Sequence, residues 1–198
     1  MRIVCYGDSN TYGFDPRSFI GGRYPASSRW PDLVAETTGH EVINDGMNGR
    51  MIPTREAELN WMHEMIEKDN PDFVIVMLGI NDLLCGASVG DIVQRMDRCL
   101  DYMPDFPTLL IGPPPIQRGE WVPNDQLLHD ASQLSDEYGE LAARRGIRFA
   151  ETKDWGVEVT FDGVHFTEEG GITDILAVSR VEIVDVAIED SGFQQSFL

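Results

Sequence analysis

The run Phe73-Val74-Ile75-Val76-Met77-Leu78 limits the folds open to this chain more than any other stretch. It is apolar at every position, so it lacks the alternation of a strand with one wet face. Asn70-Pro71 precedes it and Gly79 ends it, which makes it too short for a helix. It predicts a strand covered on both faces, central in a parallel sheet. Parallel neighbours need long crossovers, usually helices, and the rest of the chain supplies them. Ile3 to Tyr6, Glu41 to Asn44, Thr108 to Ile111 and Ile147 to Ala150 read as the other strands. A helix over Asp32 to Thr38 starts at Pro31 and stops at Gly39. A second opens at Thr54, with Leu59, Met62 and Ile66 on one face. Ser88 and Asp91 form a capping box for a third, which carries Val89, Ile92, Val93, Met96, Leu100 and Met103. Asn124 caps a fourth, with Leu127, Leu128, Ala131, Leu134, Tyr138 and Leu141. A final helical segment starts at about Thr167. The expected fold is α/β, three-layer αβα around a five-stranded parallel sheet, in the flavodoxin-like order 2-1-3-4-5. No repeat, low-complexity tract or linker interrupts it, so residues 1–198 read as a single domain.

Composition narrows the partners. At 198 residues, 42% apolar and 25% charged, the chain can bury one substantial core. Its net charge is −19, and Lys68 and Lys153 are the two lysines among fifteen basic residues. A surface this acidic repels nucleic acid and anionic membranes, so polyanionic partners are not expected. Cys5, Cys85 and Cys99 are odd in number and lack metal-ligand or redox spacing. Cys5 and Cys99 fall on apolar positions and read as core filling, which favours a reducing compartment. With no leader-like start and no apolar run of membrane-spanning length, the expectation is a cytoplasmic protein.

The chemistry-bearing residues sit where strands end. The first strand stops at Gly7-Asp8-Ser9-Asn10, and Asn48-Gly49 follows the second. Gly79-Ile80-Asn81-Asp82 follows the third, and Asp162-Gly163-Val164-His165 follows the fifth. In a parallel sheet all these points lie along one edge, where open α/β folds bind ligands. A serine hydroxyl is a poor nucleophile until a base takes its proton. His165 has the chemistry to do so near neutral pH, and Asp162, three residues upstream, can hold its tautomer. The backbone N–H groups of Ser9 and Gly49 and the side-chain amide of Asn81 can receive a developing oxyanion. Taken singly, each is an ordinary turn or cap residue. His40, His63 and His129 fit such readings, since none has an aspartate three residues upstream. The chain order Ser, Gly, Asn, then Asp-x-x-His, at successive strand ends, is what carries the argument. Asp8 reads as holding the Ser9 turn rather than merely capping a helix. The polar loop Phe14 to Arg29 lies at the same edge, where specificity often resides. Trp30, Pro113, Pro114 and Trp121 are as well suited to packing as to walling a pocket.

These four blocks resemble those of the SGNH (GDSL-like) hydrolase superfamily, in particular its small single-domain esterases and arylesterases. The resemblance runs over essentially the whole chain to His165. It implies Ser9 as nucleophile, His165 as base and Asp162 as its partner, with Ser9, Gly49 and Asn81 as oxyanion hole. It also implies a cofactor-free, metal-free route through an acyl-serine. Two departures stand out. Asn10 occupies a position that is apolar in many members, and Glu169-Gly170-Gly171 replaces the more usual Glu-Gly-His. The tail beyond (Val181, Ile183, Val184, Val186, Ile188) is rich in β-branched residues for a closing helix.

The expected activity is hydrolysis of short-chain esters, acetyl above all, on a small-molecule or carbohydrate alcohol. Acyl transfer to an alcohol is the natural side reaction. A homo-oligomer is left open. Two other classes compete. One is a flavin- or phosphate-binding flavodoxin-like module using the Gly7 to Thr11 turn. The other is a catalytically silent carbohydrate-binding relative.

Overall fold

Strands form where the apolar runs are, and their boundaries follow the pairing. In the computed structural model, which describes residues 1–168 apart from 19 and 104, the elements alternate as expected. They are β1 (Arg2–Gly7), α1 (Ser9–Tyr12), α2 (Trp30–Thr38), β2 (Glu41–Gly46), α3 (Glu56–Lys68) and β3 (Phe73–Met77). Then follow α4 (Ile80–Leu84), α5 (Val89–Leu100), β4 (Thr108–Ile111), α6 (Asp125–Arg145) and β5 (Arg148–Ala150). The five strands are all parallel, in the order β2-β1-β3-β4-β5. The closing helical segment, the Glu169-Gly170-Gly171 departure and the β-branched tail lie outside the described residues.

β3 is central, and every one of its residues is buried. Alternate side chains feed two cores, as the period of a strand requires. Val74 and Val76 join Val4, Tyr6 and Leu110 on one face, under α3, α5 and α6. Leu59, Met62, Ile66, Ile92, Met96, Leu134 and Tyr138 close over them. Phe73, Ile75 and Met77 join Ile3, Cys5, Leu109 and Ile111 on the other face. That face is covered by Trp30 and Val34 of α2 and by Trp155, Val157 and Phe166 of the segment after β5. Burial pushes the Cys5 thiol well up and the Cys99 thiol up to about 12, so both behave as apolar filling.

Most element ends shift by a residue or two from the sequence expectation, and three of the shifts are instructive. β2 runs to Gly46 instead of stopping at Asn44, because Asp45 and Gly46 pair with Tyr6 and Gly7 of β1. Cross-strand pairing there overrides the turn propensity of Asp-Gly. Only glycine fits at that point, since a Cβ on Gly46 would come within 2.1 Å of the Tyr12 backbone nitrogen. α3 begins at Glu56 rather than Thr54. Glu58 turns back to accept from the Arg55 backbone N–H at 3.1 Å, so Arg55 becomes the cap. Met103, assigned above to the third helix, is buried in the turn just past its end. The other caps match: Ser88 accepts from Asp91 N, Asn124 accepts from Leu127 N, and Gly39 closes α2 in a left-handed conformation.

Candidate active site

β1 delivers Ser9 to the rim of the sheet, at the first position of α1. Ser9, Asp162 and His165 are all buried, at 5%, 1% and 2% exposure. His165 Nε2 lies 2.9 Å from Ser9 Oγ, and His165 Nδ1 lies 2.7 Å from Asp162 Oδ2. The second carboxylate oxygen, Asp162 Oδ1, accepts from the backbone N–H groups of Val164 at 2.9 Å and His165 at 3.0 Å. Burial opposes the Asp162 charge, but the His165 ring bond and the two backbone N–H bonds outweigh it and hold the carboxyl at about 2. An ionised carboxylate fixed on Nδ1 leaves Nε2 to face the hydroxyl as acceptor, the arrangement a base needs. The turn depends on Gly163, whose φ of +85° is the left-handed region that favours glycine.

The turns after β2 and β3 come together beside it. Asn81 Nδ2 donates to the carbonyl oxygen of Arg50 at 3.0 Å, which fixes the amide next to Gly49. Gly49 adopts φ +72°, so its N–H is presented from a left-handed turn. Arg50, only 5% exposed, locks this loop to the sheet. Its guanidinium donates to Gly7 O at 3.0 Å and Asp45 Oδ1 at 2.9 Å, bonds Asp45 O, and stacks 4.1 Å above the Tyr6 ring. Asp82 is fully buried and holds the far side of the loop, accepting from Ile52 N at 3.0 Å and from Arg95 Nη1 at 2.7 Å. Polar groups on a loop this fixed reorganise little if charge develops beside them.

The two readings of Asp8 coincide in the structure. It is the N-cap of α1, with Oδ1 accepting from Asn10 N at 2.9 Å. Capping and holding the turn are the same bond here. Burial pushes its carboxyl up to about 6, against the Asn10 bond and the nearby His165 and Arg50. The folded chain therefore keeps a proton on Asp8 that the unfolded chain, near the ordinary 3.8, has released. Stability from this group is present below about 4 and lost as pH rises towards 6. Asp8→Asn retains the cap oxygen and removes the titration. Its urea midpoint relative to wild type should rise between pH 4.5 and pH 7, and an offset that stays constant would contradict this assignment.

Phe14, left above as part of a loop, and Trp121, weighed above between packing and walling a pocket, flank the histidine. Phe14 and Trp121 meet the His165 ring edge-on, with centroids at 4.8 and 5.0 Å. Trp121 is carried by the loop after β4, which zips onto the Asp162–His165 turn through main-chain bonds. Gln117 N donates to Gly163 O at 2.9 Å and Trp121 N donates to Asp162 O at 3.0 Å. Gly119 makes this approach feasible, since a Cβ there would lie 2.4 Å from the Asp162 carbonyl carbon. A glycine between Arg118 and Glu120 in a Pro-rich connection was the available signal. Trp30, in contrast, is 2% exposed and belongs to the core beneath α2. Pro113 and Pro114 line a separate cavity with Ser132 and Lys153. His63 bonds Tyr102 O at 2.9 Å, His40 lies beside the terminal amine, and His129 is exposed on α6, so none joins the site.

A cavity of about 420 Å³ opens at Gly49, between Met47, Met51, Ile52, Pro53 and Trp61. Among the described residues no group of three or more His, Cys, Asp or Glu side chains is placed to hold a metal ion. No described helix is long and apolar enough to cross a membrane. The profile of the GDSL-like Lipase/Acylhydrolase family matches residues 5–171, which takes in all four strand-end blocks. The chain belongs to that family.

Solved structures place this GDSL-like protein among relatives of similar length. An aryl esterase of M. smegmatis superposes with a TM-score of 0.77 at 24% identity, over 93% of this chain and 98% of that one. A carbohydrate acetylesterase family member from Sinorhizobium meliloti gives 0.76 at 22% identity, over 97% and 99%. A protein from Agrobacterium tumefaciens str. C58, described as an arylesterase, gives 0.75 at 26% identity, over 94% and 98%. No curated protein matches the chain in sequence. The shared fold is the α/β sheet of the SGNH hydrolases, and membership of the family supports ester hydrolysis.

Proposed function

We propose that this chain is a serine esterase acting on short-chain acyl esters through an acyl-serine at Ser9. The observation that carries the proposal is the continuous line from Asp162 Oδ2 through the His165 ring to Ser9 Oγ. In the first step His165 Nε2 takes the hydroxyl proton as Oγ bonds to the ester carbonyl carbon. The carbonyl oxygen becomes negative, and the N–H groups of Ser9 and Gly49 and the second N–H of Asn81 receive it. Collapse breaks the bond to the alcohol oxygen, which leaves with the proton from His165. In the second step water repeats the attack, His165 takes its proton, and Ser9 is released with the carboxylic acid. An alcohol in place of water gives acyl transfer instead.

Acetyl esters of aryl, sugar or small alcohols are the expected substrates, in keeping with the named activities of the similar structures. The phosphate-cradle alternative is opposed by the buried Asp8 carboxyl one residue from Ser9. A silent binder has no use for an aligned hydroxyl, imidazole and carboxylate. The test is turnover of p-nitrophenyl acetate together with labelling by a fluorophosphonate, mapped to Ser9 by peptide mass. Absence of both at pH 8 would remove the proposal, and a rate survey over acyl length and alcohol type would define the substrate. Asn81→Ala should lower kcat by about a hundred- to a thousand-fold with little change in KM. An effect confined to KM would take Asn81 out of the oxyanion hole.

A further inference from the structure

We propose that Asn10 is a positioning residue that sets the approach of His165 to Ser9, an inference resting on the catalytic reading of those two residues. Its side-chain amide makes two hydrogen bonds to the main chain on either side of the histidine. Asn10 Oδ1 accepts from Phe166 N at 3.1 Å, and Asn10 Nδ2 donates to Val164 O at 3.1 Å. The amide thus brackets His165 as a neighbouring strand would, with one donor and one acceptor on a single plane. Asn10 is itself held, 6% exposed and with its own N–H on Asp8 Oδ1. The next residue after the proposed nucleophile is therefore clamped at both ends.

The other restraints on the histidine do different work. Asp162 Oδ1 and the bond from Thr160 N to His165 O fold the 160–165 turn on itself. Gln117 and Trp121 attach that turn to the loop after β4, and Tyr24 Oη donates to Phe166 O from the loop that follows α1. None of these fixes the turn to Ser9. Among the described residues, the Asn10 amide is the side chain that joins the Ser9 turn to both main-chain neighbours of His165. An apolar side chain at position 10 makes neither bond. Asparagine there gives this chain a bracket that carries no charge and needs no metal or cofactor.

The test separates positioning from general support of the fold. Asn10→Leu should lower kcat by up to about a hundredfold, the scale of an ångström-sized misplacement, and leave KM within a few-fold. The rate constant for fluorophosphonate labelling of Ser9 should fall by the same factor, counted per folded molecule. The decisive arm uses His165→Ala, whose residual labelling should not fall further when Asn10→Leu is added, because the bracket acts through the ring. Asn10→Ser, smaller and polar, replaces Asn10→Leu if the latter does not fold. Unchanged labelling in the folded single variant, or a full further loss in the His165→Ala background, overturns the proposal. Failure of the wild-type chain to label at Ser9 overturns the esterase reading beneath it, and that result needs no variant.

Discussion

Ser9→Ala is expected to lower kcat on p-nitrophenyl acetate by about a million-fold while leaving the fold intact. Among the described residues, Ser9 is the one whose hydroxyl hydrogen-bonds the His165 ring. His165 Nε2 is turned to Ser9 Oγ at 2.9 Å, and the aromatic rings of Phe14 and Trp121 meet its ring edge-on. The substitution removes one hydroxyl from a turn held by Asp8, Asn10 and Arg50, so the melting temperature should barely move. The residue left behind can still bind ester in the same donors, and KM should stay close to that of the wild type. Measured turnover within tenfold of the parent, in protein shown by mass to be fully substituted, would eliminate the acyl-serine route.

Asp162→Asn should follow with a loss of about ten thousand-fold in kcat, since an amide favours the wrong imidazole tautomer. Here the second carboxylate oxygen adds a cost absent at Ser9. Asp162 Oδ1 accepts from the backbone N–H groups of Val164 and His165, and the loss of its charge weakens both bonds. Stability should therefore drop in a pH-dependent way. The wild-type carboxyl, held at about 2 in the folded chain against an ordinary 3.8, stabilises the fold at all pH values above about 4. That contribution disappears as pH falls towards 2. Urea midpoints of the two proteins should differ at pH 7 and converge at pH 2, while kcat differs across the working range.

Much of this could be read from residues alone, and the reason is local. Phe73 to Leu78 has no polar side to present, so a covered parallel strand was forced, and the crossover helices followed from their apolar spacing. A parallel sheet put the turns of Ser9, Gly49, Asn81 and His165 along one edge, while the strand order came by analogy with other five-stranded doubly wound sheets. What stayed hidden depends on contacts between distant segments. Nothing in the local sequence marks Trp121 as a partner of His165, because its place is set by main-chain bonds from the post-β4 loop to Asp162. The role of Asn10 was equally hidden, since its two partners lie more than 150 residues away in the chain. Trp30 carries no sign of which side of α2 it occupies, and packing put it in the core. The extension of β2 through Asp45-Gly46 likewise reflects register with β1, which local turn propensity cannot encode.

β1 lies between β2 and β3, yet the ring that faces its serine belongs to a segment synthesised 156 residues later. The hydroxyl emerges early in synthesis and remains an ordinary alcohol until that late segment docks. Reactivity at Ser9 should consequently report when that segment docks, and a chain halted ahead of Asp162 would contain all five strands without the imidazole. A covalent probe added at intervals after dilution from urea would time that arrival against recovery of the helical signal.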